Sequence, residues 1–229
     1  MAKGFNPGTK WMVASAASFS VMALAAKMLP DMPAFEKVFF RSLISVVMTV
    51  YAIRAAGINF KFNRGMLLLW RSVFGFAGLV CYFEAIARLP LGTSVTIYNT
   101  TPIFAAIIGI LFLKESHGLK RIMSIVIAII GIAYIKGFSA DAPLDGILFG
   151  LFTALFSAIA YSLVRILSKT EKPLIIVLAF PLVSIPLSIA LGAHDFRMPL
   201  GNEWWWLLAL GVGTQGGQVC LTHGLRFHT

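Results

Sequence analysis

The chain has 229 residues, of which 59% are hydrophobic and only 12% charged, with a formal net charge of +10. A soluble domain carries about 25% charged residues, so this composition excludes a dispersed soluble protein. The basic residues fall in the breaks between apolar stretches and not on one face, a pattern of membrane topology and not of nucleic-acid binding.

Met1 to Lys10 is short and basic and runs directly into an apolar stretch with no small-residue cleavage site after it. The first stretch is therefore predicted to be a retained helix and not a signal peptide. Apolar spans are predicted at 11–29, 34–56, 66–88, 91–113, 119–137, 144–167, 174–191 and 203–226. Each is near the ~20 residues that cross a ~30 Å hydrocarbon core. The breaks carry stop chemistry: Pro30 and Pro33, Asn59 to Arg64, Pro90, His117 and Gly118, Asp141 to Pro143, Lys169 to Pro173, and His194 to Gly201. The spans are apolar all round, whereas a transmembrane barrel alternates with period two. The predicted fold is an all-α, polytopic helical membrane protein with about eight transmembrane helices.

With the N-terminus inside, the inner side holds Lys3, Lys10, Arg54, Lys61, Arg64, Arg71, Lys114, Lys120, Arg121, Arg165, Lys169, Lys172 and Arg226. The outer side holds only Lys27, Lys37, Arg88, Lys136 and Arg197, and Arg41 alone is left within a span. This bias places both termini in the cytoplasm of a cell whose cytoplasmic (inner) membrane holds the protein. Trp11 and Trp70 then fall at inner ends and Trp204, Trp205 and Trp206 at an outer end, where amphipathic rings settle. Cys81 and Cys220 lie inside apolar spans, which argues against a disulfide framework or a metal site, and no cofactor is expected.

Displaced by 139 residues, the chain partly matches itself: Leu68, Leu69, Val73, Gly78, Val80 and Cys81 fall on Leu207, Leu208, Val212, Gly217, Val219 and Cys220. Ser18 falls on Ser157 and Ser45 on Ser184, and the first three spans superpose on the last three. The repeat unit then has five helices, residues 1–138, and its second copy begins at 139. Five is odd, so the second copy, 139–229, enters the membrane inverted, as in secondary transporters. The fourth and fifth spans have no second copy, and the sequence reads as cut short after Arg226-Phe227-His228-Thr229.

The run Tyr82-Phe83-Glu84-Ala85-Ile86-Ala87-Arg88-Leu89-Pro90-Leu91-Gly92, then Pro102, then Leu113-Lys114-Glu115, with Arg41 early in the second span, resembles the EamA-like family of the drug/metabolite transporter (DMT) superfamily. The resemblance implies a ten-helix plan of two inverted five-helix repeats, cytoplasmic termini, and export or exchange of small metabolites and amino acids. By that plan the last two helices, with the second copies of the Pro102 and Glu115 positions, are lacking here.

An ionisable residue near the middle of a span costs about 2.5–3.5 kcal/mol or more on insertion scales. Arg41 lies seven residues inside the outer end of its span, roughly 10 Å deep, and Glu84 lies four residues from the outer end of the third. They suit either an ion pair at the mouth of a path for charged or zwitterionic solutes, or a structural pair, with Arg41 snorkelling outward as a third reading. In the fourth span, Pro102 frees a carbonyl near Tyr98, beside Asn99, Thr100 and Thr101. That carbonyl either meets a solute or is recaptured by the threonine hydroxyls. In the eighth span, Gln215, Gln218 and Thr222 share a face that must line protein or water. His223, opposite Glu84 in the repeat, is a candidate for proton coupling or a solvated helix-end group. Ser15, Ser18, Ser157 and Tyr161 are further lining candidates, and Tyr82 and Tyr98 have rings that could stack on a solute. Gly146 with Gly150, and Gly213 with Gly217, are small-residue pairs predicted to pack helices closely.

The sequence thus points to a secondary transporter of small organic metabolites or amino-acid-like solutes. It would work by alternating access, with the two repeats rocking about a cavity lined by the first, third, fourth, sixth and eighth spans. The candidate substrate-binding residues are Arg41, Tyr82, Glu84, Tyr98, Asn99, Ser157, Tyr161, Gln215 and Gln218. The alternative is a truncated, non-transporting remnant or a membrane assembly subunit. An enzyme is not expected: no span pairs a Ser or Cys with a catalytic His, and no metal-ligand cluster or phosphate loop is present. The partners are a small-molecule solute and the lipid bilayer; homo-oligomerisation is compatible with the sequence, and nucleic acid is not a partner.

Overall fold

The computed structural model describes residues 7–113, 143–194 and 196–226, all helical or in the turns between helices. In chain order the helices are α1 (Pro7–Lys27), α2 (Ala34–Ala55), α3 (Gly65–Arg88), α4 (Leu91–Tyr98), α5 (Thr101–Leu113), α6 (Leu144–Leu167), α7 (Pro173–Gly192) and α8 (Glu203–Arg226). Six stretches are long and apolar enough to cross a membrane: Gly8–Lys27, Ala34–Ala55, Gly65–Arg88, Leu91–Gly109, Leu144–Leu167 and Pro173–Gly192. The helix α8, 24 residues long, is long enough to span, but its glutamines and glycines lower its hydropathy and it is not among the six. The span predicted at 119–137 lies outside the described residues.

The helix ends follow from local chemistry. After α2, Gly57 takes φ +61°, a left-handed conformation that glycine adopts without a Cβ clash. Its N–H donates to the Arg54 carbonyl and the Ile58 N–H to Ile53, which closes the last turn as a Schellman motif. Leu89, before Pro90, is extended at φ −110° and ψ 158°, because a proline disfavours the helical conformation in its predecessor. The start of α3 is capped from a distance: the Glu171 carboxylate accepts from the backbone N–H groups of Asn63 (2.7 Å) and Arg64 (2.6 Å). This places a negative charge at a helix N-terminus, where orphan donors and the helix dipole favour it.

The span expected over 91–113 is present as the stretch Leu91–Gly109, but where the sequence predicts a kink at Pro102 the structure interrupts the helix, giving α4 and α5 with Asn99 and Thr100 in the break. The hydroxyls decide this. Thr100 Oγ1 donates to the Ile97 carbonyl (2.7 Å) and Thr101 Oγ1 to that of Tyr98 (2.5 Å). The carbonyl that Pro102 frees is thus recaptured locally, as bilayer surroundings require. In contrast, α7 runs unbroken through Pro181 and Pro186.

The chain forms two compact units, one from residues 1–62 with 172–229, the other from 63–171. Each therefore draws helices from both sides of the repeat boundary expected at 138/139.

In the first unit α1 packs antiparallel to α8. Ser15 Oγ donates to the Gly217 carbonyl at 2.9 Å, and α1 passes so close that a Cβ on Gly213 would lie 3.0 Å from the Ser18 carbonyl oxygen. Helix α7 crosses α2, with Phe35 against Gly192. The face of α2 that carries Ser42, Ser45 and Thr49 is buried, as are Ser184 and Ser188 of α7. The 139-residue displacement maps Ser45 onto Ser184 and Thr49 onto Ser188, so the buried hydroxyls of the two helices stand in the same register.

In the second unit α3 packs antiparallel to α6, since Asn63 and Arg64 meet Glu171 at one end and Arg88 meets Asp145 at the other. A Cβ on Gly146 would meet Leu89 at 2.8 Å, and one on Gly150 would meet Ile97 at 2.8 Å. Both predicted glycine pairs are therefore close-packing sites. Gly78 meets Ser157 in this unit, while Gly216 meets Ser18 and Gly217 meets Phe19 in the other. The displacement that maps Gly78 onto Gly217 and Ser18 onto Ser157 thus finds corresponding positions at a helix crossing in each unit.

Candidate functional site

The second unit gathers six of the nine predicted residues. Tyr82 of α3 is buried, and its ring centroid lies 5.3 Å from that of Tyr98 at the end of α4. The Tyr98 hydroxyl hydrogen-bonds the Tyr161 hydroxyl of α6 at 2.8 Å, and Tyr161 is 44% exposed, so the pair is accessible. Two phenols sharing one hydrogen bond use one of their two O–H donors, leaving the other to point elsewhere. Ser157 sits one turn before Tyr161, against Gly78. Three helices thus converge on a cluster of aromatic faces and hydroxyls. Asn99 is exposed in the break after α4.

Glu84 is placed differently from the sequence expectation. The sequence allows it a partner in Arg41; the structure gives it Arg88, one turn along its own helix, in a direct ion pair. Arg88 also donates through Nε to Asp145 at 2.8 Å and lies 4.6 Å from the Phe149 ring centroid. An i,i+4 pair on one helix forms more readily than a contact that needs two helices to meet. Glu84 therefore belongs to a charged knot at the end of α3 and the start of α6.

Sequence reasoning missed Arg71. Counted as a loop charge, it stands six residues inside α3 with its Nε and Nη1 atoms buried. Its position inside the predicted span 66–88 was the available signal.

In the first unit Arg41 is buried; its Nε donates to Thr214 Oγ1 at 2.9 Å, and its guanidinium lies 5.1 Å from the Phe180 ring centroid. Thr214 in turn donates to the Leu210 carbonyl. Gln215 is buried and donates to Thr49 Oγ1 at 2.9 Å. Gln218 is half-buried. These groups tie α2 to α8. The side chains of Thr222 and His223, and the positions of Lys114 and Glu115, lie outside the described residues.

Fold and site together define a polytopic helical membrane protein with polar side chains placed within its spans. The model of the EamA-like transporter family matches residues 6–136. The pseudopaline exporter CntI of Pseudomonas aeruginosa is 34% identical over 218 residues, covering 94% of this chain and 77% of the exporter. The riboflavin transporter of Vibrio cholerae is 26% identical, over 90% of this chain and 71% of that protein. The S-adenosylmethionine uptake transporter of Rickettsia felis is 23% identical, over 91% and 72%. A crystal structure with 18% sequence identity matches the fold at a TM-score of 0.66, covering 93% of this chain and 76% of that one. The chain belongs to the EamA-like transporter family.

Proposed function

We propose that the chain is a secondary transporter of small organic metabolites or amino-acid-like solutes in the cytoplasmic (inner) membrane, with both termini in the cytoplasm. The observation that carries this reading is the Tyr98–Tyr161 hydroxyl pair beside Tyr82, an accessible polar and aromatic cluster within the spans of a transporter-family chain. Aromatic faces hold apolar solute surface while hydroxyls fix orientation, the usual division of labour in small-molecule sites. The similarity to an exporter of pseudopaline and to carriers of riboflavin and S-adenosylmethionine supports a multifunctional organic solute as cargo. The mechanism is alternating access by two inverted repeats, 1–138 and 139–229, driven by a solute or ion gradient. The corresponding crossings at Gly78 and Gly217 support the repeat.

The test is exchange in proteoliposomes loaded with a metabolite panel, using the full chain and a Tyr98→Phe, Tyr161→Phe double variant. Counterflow of at least one organic solute, weakened in the variant, is expected. A monodisperse, folded preparation that exchanges none of the panel overturns the reading.

A further inference from the structure

We propose that the α2–α7 crossing is a hydrated site within the membrane, where internal water is bound by the hydroxyls of Ser42, Ser184 and Ser188. The site belongs to the first unit and does not depend on the identity of the cargo.

Phe180, Ser184, Ser188 and Gly192 form one i,i+4 row along α7. Both ends of that row meet α2. A Cβ on Gly192 would lie 2.7 Å from the Phe35 Cβ, and the Arg41 guanidinium lies 5.1 Å from the Phe180 ring centroid. The two serines between those contacts therefore lie along α2. The same contacts set the direction. Moving from Phe35 to Arg41 on α2 leads from Gly192 to Phe180 on α7, so the helices are antiparallel. Ser42 is seven residues beyond Phe35, two turns along the same face and roughly 10 Å along the axis. Ser188 and Ser184 are about 6 and about 12 Å from Gly192. Ser42 thus stands at a height between them.

All three serines are fully buried, and their hydroxyls have no hydrogen-bond partner among the described residues. Other serines in the spans behave differently: Ser18, Ser20, Ser72 and Ser162 each donate to the carbonyl four residues earlier. Ser42, Ser184 and Ser188 do not take that bond, nor do they reach one another. Leaving one buried hydroxyl unpaired costs about 1–3 kcal/mol, and here three share one crossing. Lipid supplies no partner at this depth. A small molecule that both donates and accepts satisfies hydroxyls that face each other beyond bonding distance, and water is the one that fits between serines. Pro181, three residues before Ser184, has no N–H to return to the Val177 carbonyl, which leaves one more acceptor beside the seam. The Arg41 guanidinium at the end of the row disfavours a metal cation there.

Water-edited solid-state NMR on the isotope-labelled full chain in phosphatidylcholine bilayers tests this directly, because magnetisation passes only from water close to a proton. Transfer to Ser42, Ser184 and Ser188 is expected. None is expected in the same mixing time to Ser72, which is as deeply buried but bonded to Leu68. Absence of transfer at all three serines overturns the proposal. Stability gives an independent sign. If water completes the bonds of these hydroxyls, Ser184→Ala and Ser188→Ala should each lower the unfolding midpoint by about 2–4 °C. The triple alanine variant should lose less than the sum, because the residues share bound water. Alanine variants that raise the midpoint would mean dry, unpaired hydroxyls and would overturn the proposal too. Replacing sodium by choline separates water from a bound cation. An unchanged midpoint supports water, whereas a sodium-dependent midpoint that Ser184→Ala abolishes assigns the site to the cation and overturns the proposal. Should a variant fail to fold, the wild-type transfer experiment decides alone.

Discussion

Arg88 holds two carboxylates at once, Glu84 and Asp145, while Gln215 holds a single hydroxyl on a neighbouring helix. Both contacts cross-link secondary structure. The Gln215–Thr49 bond belongs to helix association, where measured intramembrane hydrogen bonds average about 0.6 kcal/mol. A double-mutant cycle of Gln215→Leu and Thr49→Val in thermal unfolding should return a coupling energy near that size, with solute exchange retained in each variant. Loss of exchange at unchanged stability would place Gln215 on the solute path instead. The side-chain contacts were unevenly legible in the sequence. Glu84 with Arg88 is a local i,i+4 pair and could be read directly. Tyr98 with Tyr161 joins residues 63 apart and depends on where α4 settles against α6. Arg71 is readable by position, yet a cation near a span end normally snorkels to water, so its burial inside α3 depends on the packing around it.

At the scale of elements, caps and crossings decide where helices begin and how closely they approach. Glu171 supplies both backbone hydrogen bonds to the chain entering α3 and also meets the Asn63 amide. Glu171→Ala should lower stability by about 1–2 kcal/mol, the upper part of the range for a lost cap, read as a lower unfolding midpoint in detergent. Glu171→Gln, which keeps an acceptor, should recover part of the loss. An unchanged midpoint in Glu171→Ala would deny the cap a stabilising role. The spans were legible because the bilayer fixes their length and demands backbone satisfaction within each helix. The α4–α5 break was not, because a proline alone does not distinguish a kink from a stop. Pro181 and Pro186 sit inside a continuous helix, whereas Pro102 follows two threonines whose hydroxyls seize the carbonyls of Ile97 and Tyr98.

For the whole molecule, the uneven distribution of basic residues has a geometric counterpart in the second unit. Arg64 and Thr170 share one end, with Lys169 beside them in sequence, and Arg88 and Asp145 share the other. In a background of Cys81→Ala and Cys220→Ala, Lys169→Cys is expected to react with an impermeant maleimide only from the cytoplasmic side. Leu144→Cys, at an exposed helix start, should react only from outside. The reverse pattern would invert the proposed orientation. The partial self-match of the sequence falls on Ser18, Gly78 and their counterparts, which sit at crossings where small side chains are required. The division into compact units was not legible, because it depends on which helices pair and not on their order.

The stacking of Arg41 on Phe180 has a further implication, since these residues are 139 positions apart and so correspond under the displacement at which the sequence partly matches itself. Where a position touches its own duplicate, whatever stands there must tolerate its twin. Two guanidiniums would repel, and two phenyl rings would leave Thr214 without its donor. The contact holds because these two positions carry different residues, so Phe180→Arg should disrupt α2 against α7 more than the same exchange at exposed Leu182. Comparing the unfolding midpoints of the two variants would show whether this crossing is a place where the halves of the chain cannot be made alike.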